Sequence, residues 1–363
     1  MLITTPTLLL DENKCRRNIR MMVDKARRNQ VVLRPHLKTP QSQAIARWLR
    51  AEGVTQITVS SIRMAAYFAE DGWTDITVAF PFNVLEMETV NGLASRIHLN
   101  LLVESNAHIR HLQANLQSPL GLFIKLNLGN HRAGLEPDDY PAIDALLAEI
   151  AASPLLKFRG FLGHAGQSYS ARGLEEIAAV HRSSRALMQA TKAHYQDRYP
   201  QLIVSVGDTP TCSRMEDFSG VEEIRPGNFI FYDLMQQQIG SCDFAQIAVA
   251  MACPIVAIHE AKQELLIYGG GVHFSKDRLE DPELGTIYGR VVRGEGNGWG
   301  DIIPDTYLKK VSQEHGIIKA PSTFIEQQQI GAILKILPVH SCMTADAMKG
   351  YIQTTGEALS MMQ

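Results

Sequence analysis

The sequence predicts an α/β protein: a (β/α)8 barrel of the TIM type followed by a mainly β C-terminal domain. The first observation is alternation. Apolar runs and segments of helical period follow one another about eight times from Val31 to Tyr232, which implies parallel strands joined by crossover helices. The second is size, because that stretch has the length of a closed barrel and no G-x-G-x-x-G turn follows any run. The third is a change of texture: after Asp233, β-type runs succeed one another without helices between them.

The first strand is read from Val31-Val32-Leu33-Arg34-Pro35-His36-Leu37-Lys38-Thr39-Pro40, which begins apolar, turns cationic and is stopped by prolines. Lys38 falls at its C-terminal mouth. A lysine there either snorkels to solvent or is an ammonium kept for chemistry. Further strands are expected at Ile57–Ser61, Ile76–Phe80, Ile97–Val103, Leu122–Leu128, Lys157–Leu162 and Leu202–Val206. Ile224–Tyr232 is expected as a last strand-like unit. The spacing of apolar residues predicts helices over Gln41–Arg50, Arg63–Glu70, Val84–Ser95, Ala107–Leu116, Tyr140–Ala152 and Leu174–Tyr195. The domain division is placed at 1–235 and 236–363. In the second domain, Ala245–Ile258, Glu264–Tyr268 and Ile330–Leu337 read as β, Gly269–Gly300 as loop, and Ala345–Met362 as a closing helix. The first few residues could cross over to the second domain.

Composition narrows the function. The chain has 363 residues, 45% of them hydrophobic, which is ample for a large core. Lys+Arg 35 against Asp+Glu 38 leaves a net charge of −3 with no basic run, which argues against a nucleic-acid partner. No apolar stretch reaches the ~18 residues of a membrane span. The apolar patch from Met1 to Leu10 lacks a basic start and a cleavage site, so no signal peptide is expected. Five scattered cysteines fit reduced thiols in a cytoplasm.

Barrel chemistry lies at the C-terminal ends of the strands. Those ends carry His36 and Lys38; Lys125 to Gly134 with His131 and Arg132; Gly163-His164-Ala165-Gly166-Gln167-Ser168-Tyr169; Gly207-Asp208-Thr209-Pro210-Thr211; and Arg225-Pro226-Gly227-Asn228. The last two ends offer glycine, hydroxyls and backbone N–H groups where such barrels hold phosphate. A phosphate site, a buried lysine and nearby histidine and arginine together point to a pyridoxal phosphate Schiff base. Singly, each has a plainer reading: a solvated loop arginine, a core histidine, threonines capping a short helix.

These segments, in this order, resemble the alanine-racemase-type pyridoxal phosphate barrels, and more narrowly their D-serine dehydratase and D-threonine aldolase branch. The resembling motifs are Arg34-Pro-His-Leu-Lys38-Thr, Asn127-x-Gly-x-x-Arg132-x-Gly134, Gly163-His164-x-Gly-x-x-Tyr169, Gly207-x-Thr209-Pro-Thr211 and Arg225-Pro-Gly-Asn228. The resemblance implies that Lys38 carries the cofactor, with His164 against its ring, Arg132 near its phenolic oxygen and Arg225 near its pyridine nitrogen. It implies Thr209, Thr211, Gly227 and Asn228 around the phosphate. Tyr169 would border the substrate and assist proton transfer, or pack. Asn127 departs from the family, which usually has an acidic residue there.

Near the C-terminus, His340 and Cys342 are two residues apart. On an extended strand they would face one side and reach one cation. The pair alone is a weak metal motif. The resemblance implies a metal at these positions, and an imidazole with a thiolate suits Zn²⁺. The function so implied is a lyase of D-3-hydroxyamino acids, dependent on pyridoxal phosphate and a metal. Dehydration of D-serine-like substrates to a keto acid and ammonia leads. The alternatives are a D-threonine-type aldolase, an amino acid racemase and a non-catalytic cofactor carrier. Cys342 favours the dehydratases, since a carboxylate in its place would suit harder ions. A homodimer is implied by analogy with the fold.

Overall fold

The structure, a computed structural model, describes residues 2–363; Met1, at the head of the apolar N-terminal patch, lies outside the described residues. The chain forms two compact units. One comprises Arg20–Lys38 and Ala46–Gly227; the other comprises the stretch up to Ile19, Thr39–Ile45 and Asn228–Gln363.

The first unit is a parallel eight-stranded barrel. Its strands run in the spatial order Val32–Leu33, Glu223–Ile224, Ile203–Val206, Leu156–Gly163, Leu120–Leu126, His98–Val103, Asp75–Pro81 and Ile57–Val59. Closure comes from a bridge between His36 and Thr58, where Leu37 N donates to Thr58 O at 2.8 Å and Thr58 N to Pro35 O at 2.9 Å. The strands are buried on both faces, by helices outside and by one another's side chains inside, so they read as largely apolar runs. Leu120–Leu126 is buried at every position. The helices start where short polar side chains satisfy free N–H groups: Ser61 caps Met64 N, Ser105 caps His108 N and Asp139 caps Ala142 N. Tyr140–Ala151 buries Ile143, Leu146, Leu147 and Ile150, one apolar stripe at helical spacing. Gly160 sits at a register shift between neighbouring strands, with φ at +144°. A Cβ there would fall 2.0 Å from the Ile203 carbonyl oxygen, so no other residue fits.

Charge also runs through the barrel interior. Arg34, 1% exposed, donates to Glu223 at 2.5 Å and Asp75 at 2.7 Å. Glu223 in turn accepts from Ser205 at 2.6 Å, and Ser205 accepts from Arg225 Nε at 2.6 Å. Arg34 and Glu223 are thereby paired, which is the condition for keeping them, whereas Arg225 has neutral acceptors.

The second unit is built on a nine-stranded sheet. Its order is Glu264–Tyr268, His315–Lys319, Gly298–Val311, Gly289–Glu295, Ile333–Pro338, Val249–His259, Thr7–Leu10, Gly350–Gln353 and Ala358–Ser360. Val249–His259 also pairs with Glu264–Tyr268, which closes six of these strands into an antiparallel barrel. The N-terminal strand belongs here: Thr7–Leu10 pairs with Val249–Ala252.

Three expectations are corrected. Ile224–Tyr232 is not a strand beyond Ile224; Pro226 interrupts it, and Asn228–Ile230 is a 3-10 turn. Gly269–Gly300 is not all loop. It holds strands Leu279–Asp281, Gly285–Ile287 and Gly289–Glu295, and the start of Gly298–Val311. Its glycines serve close approach as well as turns: a Cβ on Gly289 would lie 2.7 Å from Ile336 Cγ2. The helix expected over Ala345–Met362 is Ser341–Met348 instead. Lys349 at φ +55° ends it, and Tyr351 and Ile352 then extend the sheet.

Candidate active site

In the barrel unit, the strand mouths gather cationic groups. Lys38 follows the first strand, and its backbone N–H donates to Nδ1 of His36 at 3.3 Å. That bond makes His36 an acceptor at Nδ1 and leaves the proton on Nε2. Burial pushes the His36 pKa well below its ordinary value, and the nearby charges of Lys38 and Arg225 add to this. His164 follows the sixth strand and donates from Nδ1 to the Gly207 carbonyl. Burial takes its pKa down to about 3, against the Gly207 bond and with the help of Lys38, Arg225 and Lys125. Both imidazoles are therefore neutral, with one nitrogen each fixed by backbone.

Arg225 is 5% exposed and donates to Ser205 Oγ and to the Gly163 carbonyl, the latter at 2.5 Å. Burial lowers even its guanidinium pKa to about 10. Arg132 stands with Lys125, Asn127, Asn130 and His164 around a small hollow at the mouths of the fifth and sixth strands. Asn127 shapes that loop by accepting from Gly129 N and His131 N and donating to Glu136 at 2.7 Å. Sequence reasoning gave Lys125 no role. It lies in the hydrophobic strand Leu120–Leu126, and Nζ donates to Leu126 O at 2.7 Å. Burial, with Arg225 and Arg132 beside it, lowers its pKa to about 7.

The Thr209–Thr211 segment opens a short helix, Thr209–Arg214, capped by Asp208. Asp208 accepts from Thr211 N and Thr211 Oγ1, each at 2.7 Å, and from Ser168 Oγ at 2.9 Å. The Tyr169 hydroxyl accepts from Thr209 N at 3.3 Å. Gly227 closes this unit along the chain.

Asn228, His340 and Cys342 lie in the other unit. His340 and Cys342 are not on a strand, as their spacing had implied. His340 is the N-cap of the helix Ser341–Met348, and Cys342 lies in its first turn. The two side chains nonetheless come within hydrogen-bonding reach of each other. His340 Nδ1 lies 2.9 Å from Asp277 Oδ2. Burial disfavours the imidazolium of His340, but Asp277, Cys342 and Asp233 outweigh it and lift its pKa to about 11. The Cys342 sulfur lies 3.2 Å from Thr39 Oγ1 and 3.4 Å from Asn228 Nδ2. Asn228 also donates to Asp233 at 2.6 Å, so its side chain is engaged around the cysteine. Asp277 was missed because nothing local marks it: it is 63 residues from His340.

The donor sets can be tested against the groups they would hold. At these mouths Lys38 and Arg132 are exposed cations, while Arg225 is buried with its donors on neutral acceptors, which is costly without a matching anion. An anionic cofactor with a phosphate and a phenolic oxygen fits these cations. The His340–Cys342 pair offers two soft-to-borderline donors with Asp277 behind the imidazole, which fits a zinc ion. Among the described residues, no group of three or more His, Cys, Asp or Glu could hold a metal ion. Such an ion would keep positions for water or substrate, the pattern of catalytic and not structural zinc.

A barrel with a lysine and neutral histidines at its strand mouths, joined to a β unit with a histidine–cysteine pair, defines a cofactor-dependent barrel enzyme. The chain belongs to the alanine-racemase-type pyridoxal phosphate family, in the branch of D-serine dehydratases and D-threonine aldolases. Residues 10–234 match the alanine racemase N-terminal domain, and residues 248–354 match the domain described as "Putative serine dehydratase domain". It is 30% identical to D-threo-3-hydroxyaspartate dehydratase of Delftia sp. (strain HT23), over 96% of this chain and 93% of that one. The structure of that enzyme superposes with a TM-score of 0.92 at 28% identity, covering 99% of this chain and 98% of the other. D-serine dehydratase of Dictyostelium discoideum is 28% identical over 96% of this chain and 93% of its own. Two variant structures of D-threo-3-hydroxyaspartate dehydratase, each with a TM-score of 0.91 at 28% identity, replace a cysteine and a histidine two positions apart. They cover 98% and 95% of their own chains and 99% of this one, and the cysteine variant is in a metal-free form. No helix among the described residues is long and apolar enough to cross a membrane.

Proposed function

We propose that this protein is a pyridoxal-phosphate-dependent lyase that uses a bound zinc ion to dehydrate a D-3-hydroxyamino acid of the D-serine type. The product pair is a keto acid and ammonia. The observation that carries the reading is the His340–Cys342 pair backed by Asp277. The Delftia sp. relative is a dehydratase, and a metal-free form of such an enzyme accompanies replacement of a cysteine.

Lys38, His164, Arg132 and Arg225 would hold the cofactor's aldehyde, ring, phenolic oxygen and pyridine nitrogen. Thr209, Thr211, Gly227 and Asn228 would surround its phosphate, with backbone contributing where the Thr211 and Asn228 side chains are engaged. When bound, pyridoxal phosphate supplies an electron sink for the carbon that bears the amino group. When bound on His340 and Cys342, zinc supplies Lewis acidity toward the β-hydroxyl. The residues do the rest. The Lys38 amine takes the proton from the substrate α-carbon at Nζ. His164, held by the Gly207 carbonyl and kept neutral by burial, packs without adding charge. Tyr169, anchored at Thr209 N, borders the substrate. Loss of the α-proton and the β-hydroxide as water, then hydrolysis, balances to keto acid plus ammonia. The reading includes a cytoplasmic homodimer, which light scattering would report as twice the 40.3 kDa chain mass.

The test is product analysis on D-serine, D-threonine and D-threo-3-hydroxyaspartate, with and without a chelator. Keto acid and ammonia that vanish with the chelator and return with zinc support the reading. Glycine plus an aldehyde would make the protein an aldolase. The opposite enantiomer as product would make it a racemase. Bound cofactor without turnover on any substrate would leave a carrier.

A further inference from the structure

In the sequence, Tyr268-Gly269-Gly270-Gly271-Val272-His273 reads as a β turn that could also border the active site, with His273 a further metal candidate. The structure shows where this segment leads. Gly269 has φ +156° and packs against Cys253, with room for no side chain: a Cβ would lie 2.6 Å from the Cys253 sulfur. A Cβ on Gly270 would lie 2.5 Å from the Gln313 carbonyl oxygen. Gly271 N donates to Ser312 O at 2.6 Å, and Val272 N donates to Gln313 O at 3.2 Å. The backbone is thus pinned against the neighbouring hairpin. One helical turn, Gly271–Phe274, follows, with His273 Nδ1 accepting from Gly270 N at 3.1 Å. His273 is therefore engaged in its own turn and not at the His340 pair.

The turn ends at Ser275, at φ +68°, and its hydroxyl accepts from Asp277 N at 3.1 Å and lies 3.2 Å from Asp277 Oδ2. The Phe274 carbonyl accepts from Thr344 Oγ1 at 3.0 Å, which ties this turn to the helix that begins at Ser341. At the end of this chain of contacts, Asp277 Oδ2 meets His340 Nδ1 at 2.9 Å. Two conditions for orienting an imidazole are met. The carboxylate accepts from Ser275 Oγ, and its loop is fastened to the element that carries the histidine.

We propose that Asp277 is a positioning residue for the metal site: it holds the His340 ring by Nδ1, so that Nε2 is the nitrogen presented to zinc. The inference rests on the reading of His340 and Cys342 as zinc ligands. A carboxylate behind a histidine ligand fixes its tautomer and raises its basicity, and losing it costs about 10- to 100-fold in metal affinity. Asp277 itself touches neither substrate nor cation in this assignment. The glycine-rich segment is then the scaffold that places it.

The experiment is zinc partition between the holoenzyme and a chromophoric chelator, with no turnover measured. Wild type is expected to hold one zinc per chain, and H340A and C342A to lose it. D277A is expected to weaken zinc about 10- to 100-fold. D277N keeps an acceptor for the Nδ1 proton but not the charge, and is expected to fall between. With cobalt in place of zinc, D277A should keep the sulfur-to-metal charge-transfer band of Cys342 while its d–d bands shift. A wild type without zinc would overturn the metal reading itself. Zinc held by wild type, lost in H340A and held equally by D277A and D277N would overturn only the role of Asp277. Should D277A fail to fold by circular dichroism, D277N decides alone, and unchanged zinc affinity in it overturns the proposal.

Discussion

The side-chain amide of Asn228 lies 3.4 Å from the sulfur of Cys342. The same amide donates to Asp233 at 2.6 Å and meets Ser341 Oγ at 3.2 Å. Asp233 is fully buried and also accepts from Ser341 N at 2.9 Å. Asn228 therefore bridges a buried carboxylate and the candidate metal-binding thiol. N228A should leave Asp233 with fewer donors and cost about 1–3 kcal/mol. N228D should cost more, because it sets a second carboxylate against the first. Urea unfolding gives the first quantity, and zinc content per chain reports the effect on Cys342. Wild-type stability in N228D would show that the bridge carries no weight.

The barrel interior makes a sharper prediction. Arg34 and Glu223 are 1% and 2% exposed and lie 2.5 Å apart. E223A leaves the buried Arg34 guanidinium with Asp75 as its remaining carboxylate and takes away the acceptor of Ser205, which costs about 3–5 kcal/mol. Replacing both partners with methionine removes the charge that needs a partner, so R34M/E223M should cost less than E223A alone. A double variant at least as unstable as E223A would mean that the pair is worth more than the desolvation it offsets.

The sequence made the barrel legible because buried parallel strands are written as continuous apolar runs, and Leu120–Leu126 is buried at all positions. Lys38 and His164 were legible because strand mouths are where polar residues interrupt such runs. The β unit was harder. Gly289–Glu295 and Gly298–Val311 carry glycine and charge at exposed positions and turns, which imitates loop composition. The Ser341–Met348 helix was misplaced because Tyr351 and Ile352 continue a helical pattern that Lys349 breaks by its backbone angle, not its chemistry. Asp277 and Asp233 were out of reach, since their partners are fixed by the fold at long sequence separation.

Acid sensitivity follows from the two neutral histidines. Burial holds His164 at about 3 in the fold, against 6.5 ordinarily, and lowers His36 in the same direction. Below about pH 6.5 the unfolded chain takes up protons that the folded chain refuses, so these groups cost stability as pH falls from there toward 3. Above pH 6.5 they contribute no slope. Unfolding free energy should drop between pH 7 and 5, and H164N should drop less steeply, by up to about 1.4 kcal/mol per pH unit for one proton. Lys125 acts in a different window: lowered from 10.5 to about 7, it makes stability rise with pH between those values. Equal acid slopes in wild type and H164N would show that His164 does not titrate as its burial demands.

Two lysines stand among the cations of the barrel mouths, and only one can carry the cofactor. Lys125 has the lowered pKa that favours a nucleophilic amine, about 7. Its Nζ, however, is spent on the Leu126 carbonyl at 2.7 Å, and it is 9% exposed inside its strand. Lys38 lies beyond the end of its strand, next to His36, whose Nδ1 accepts its backbone N–H. A lysine that must exchange one amine for another and then take a proton needs a place at the strand mouths, where the chemistry of such barrels lies. Borohydride reduction of the holoenzyme, followed by peptide mapping, should place the cofactor on Lys38. K38A should lose the visible absorbance of the bound cofactor and at least about 10³-fold in turnover. K125M should keep the absorbance and lose part of the turnover, since Arg132 and Arg225 then face an apolar neighbour in place of an amine. A label on Lys125, or full absorbance in K38A, would reverse the two assignments.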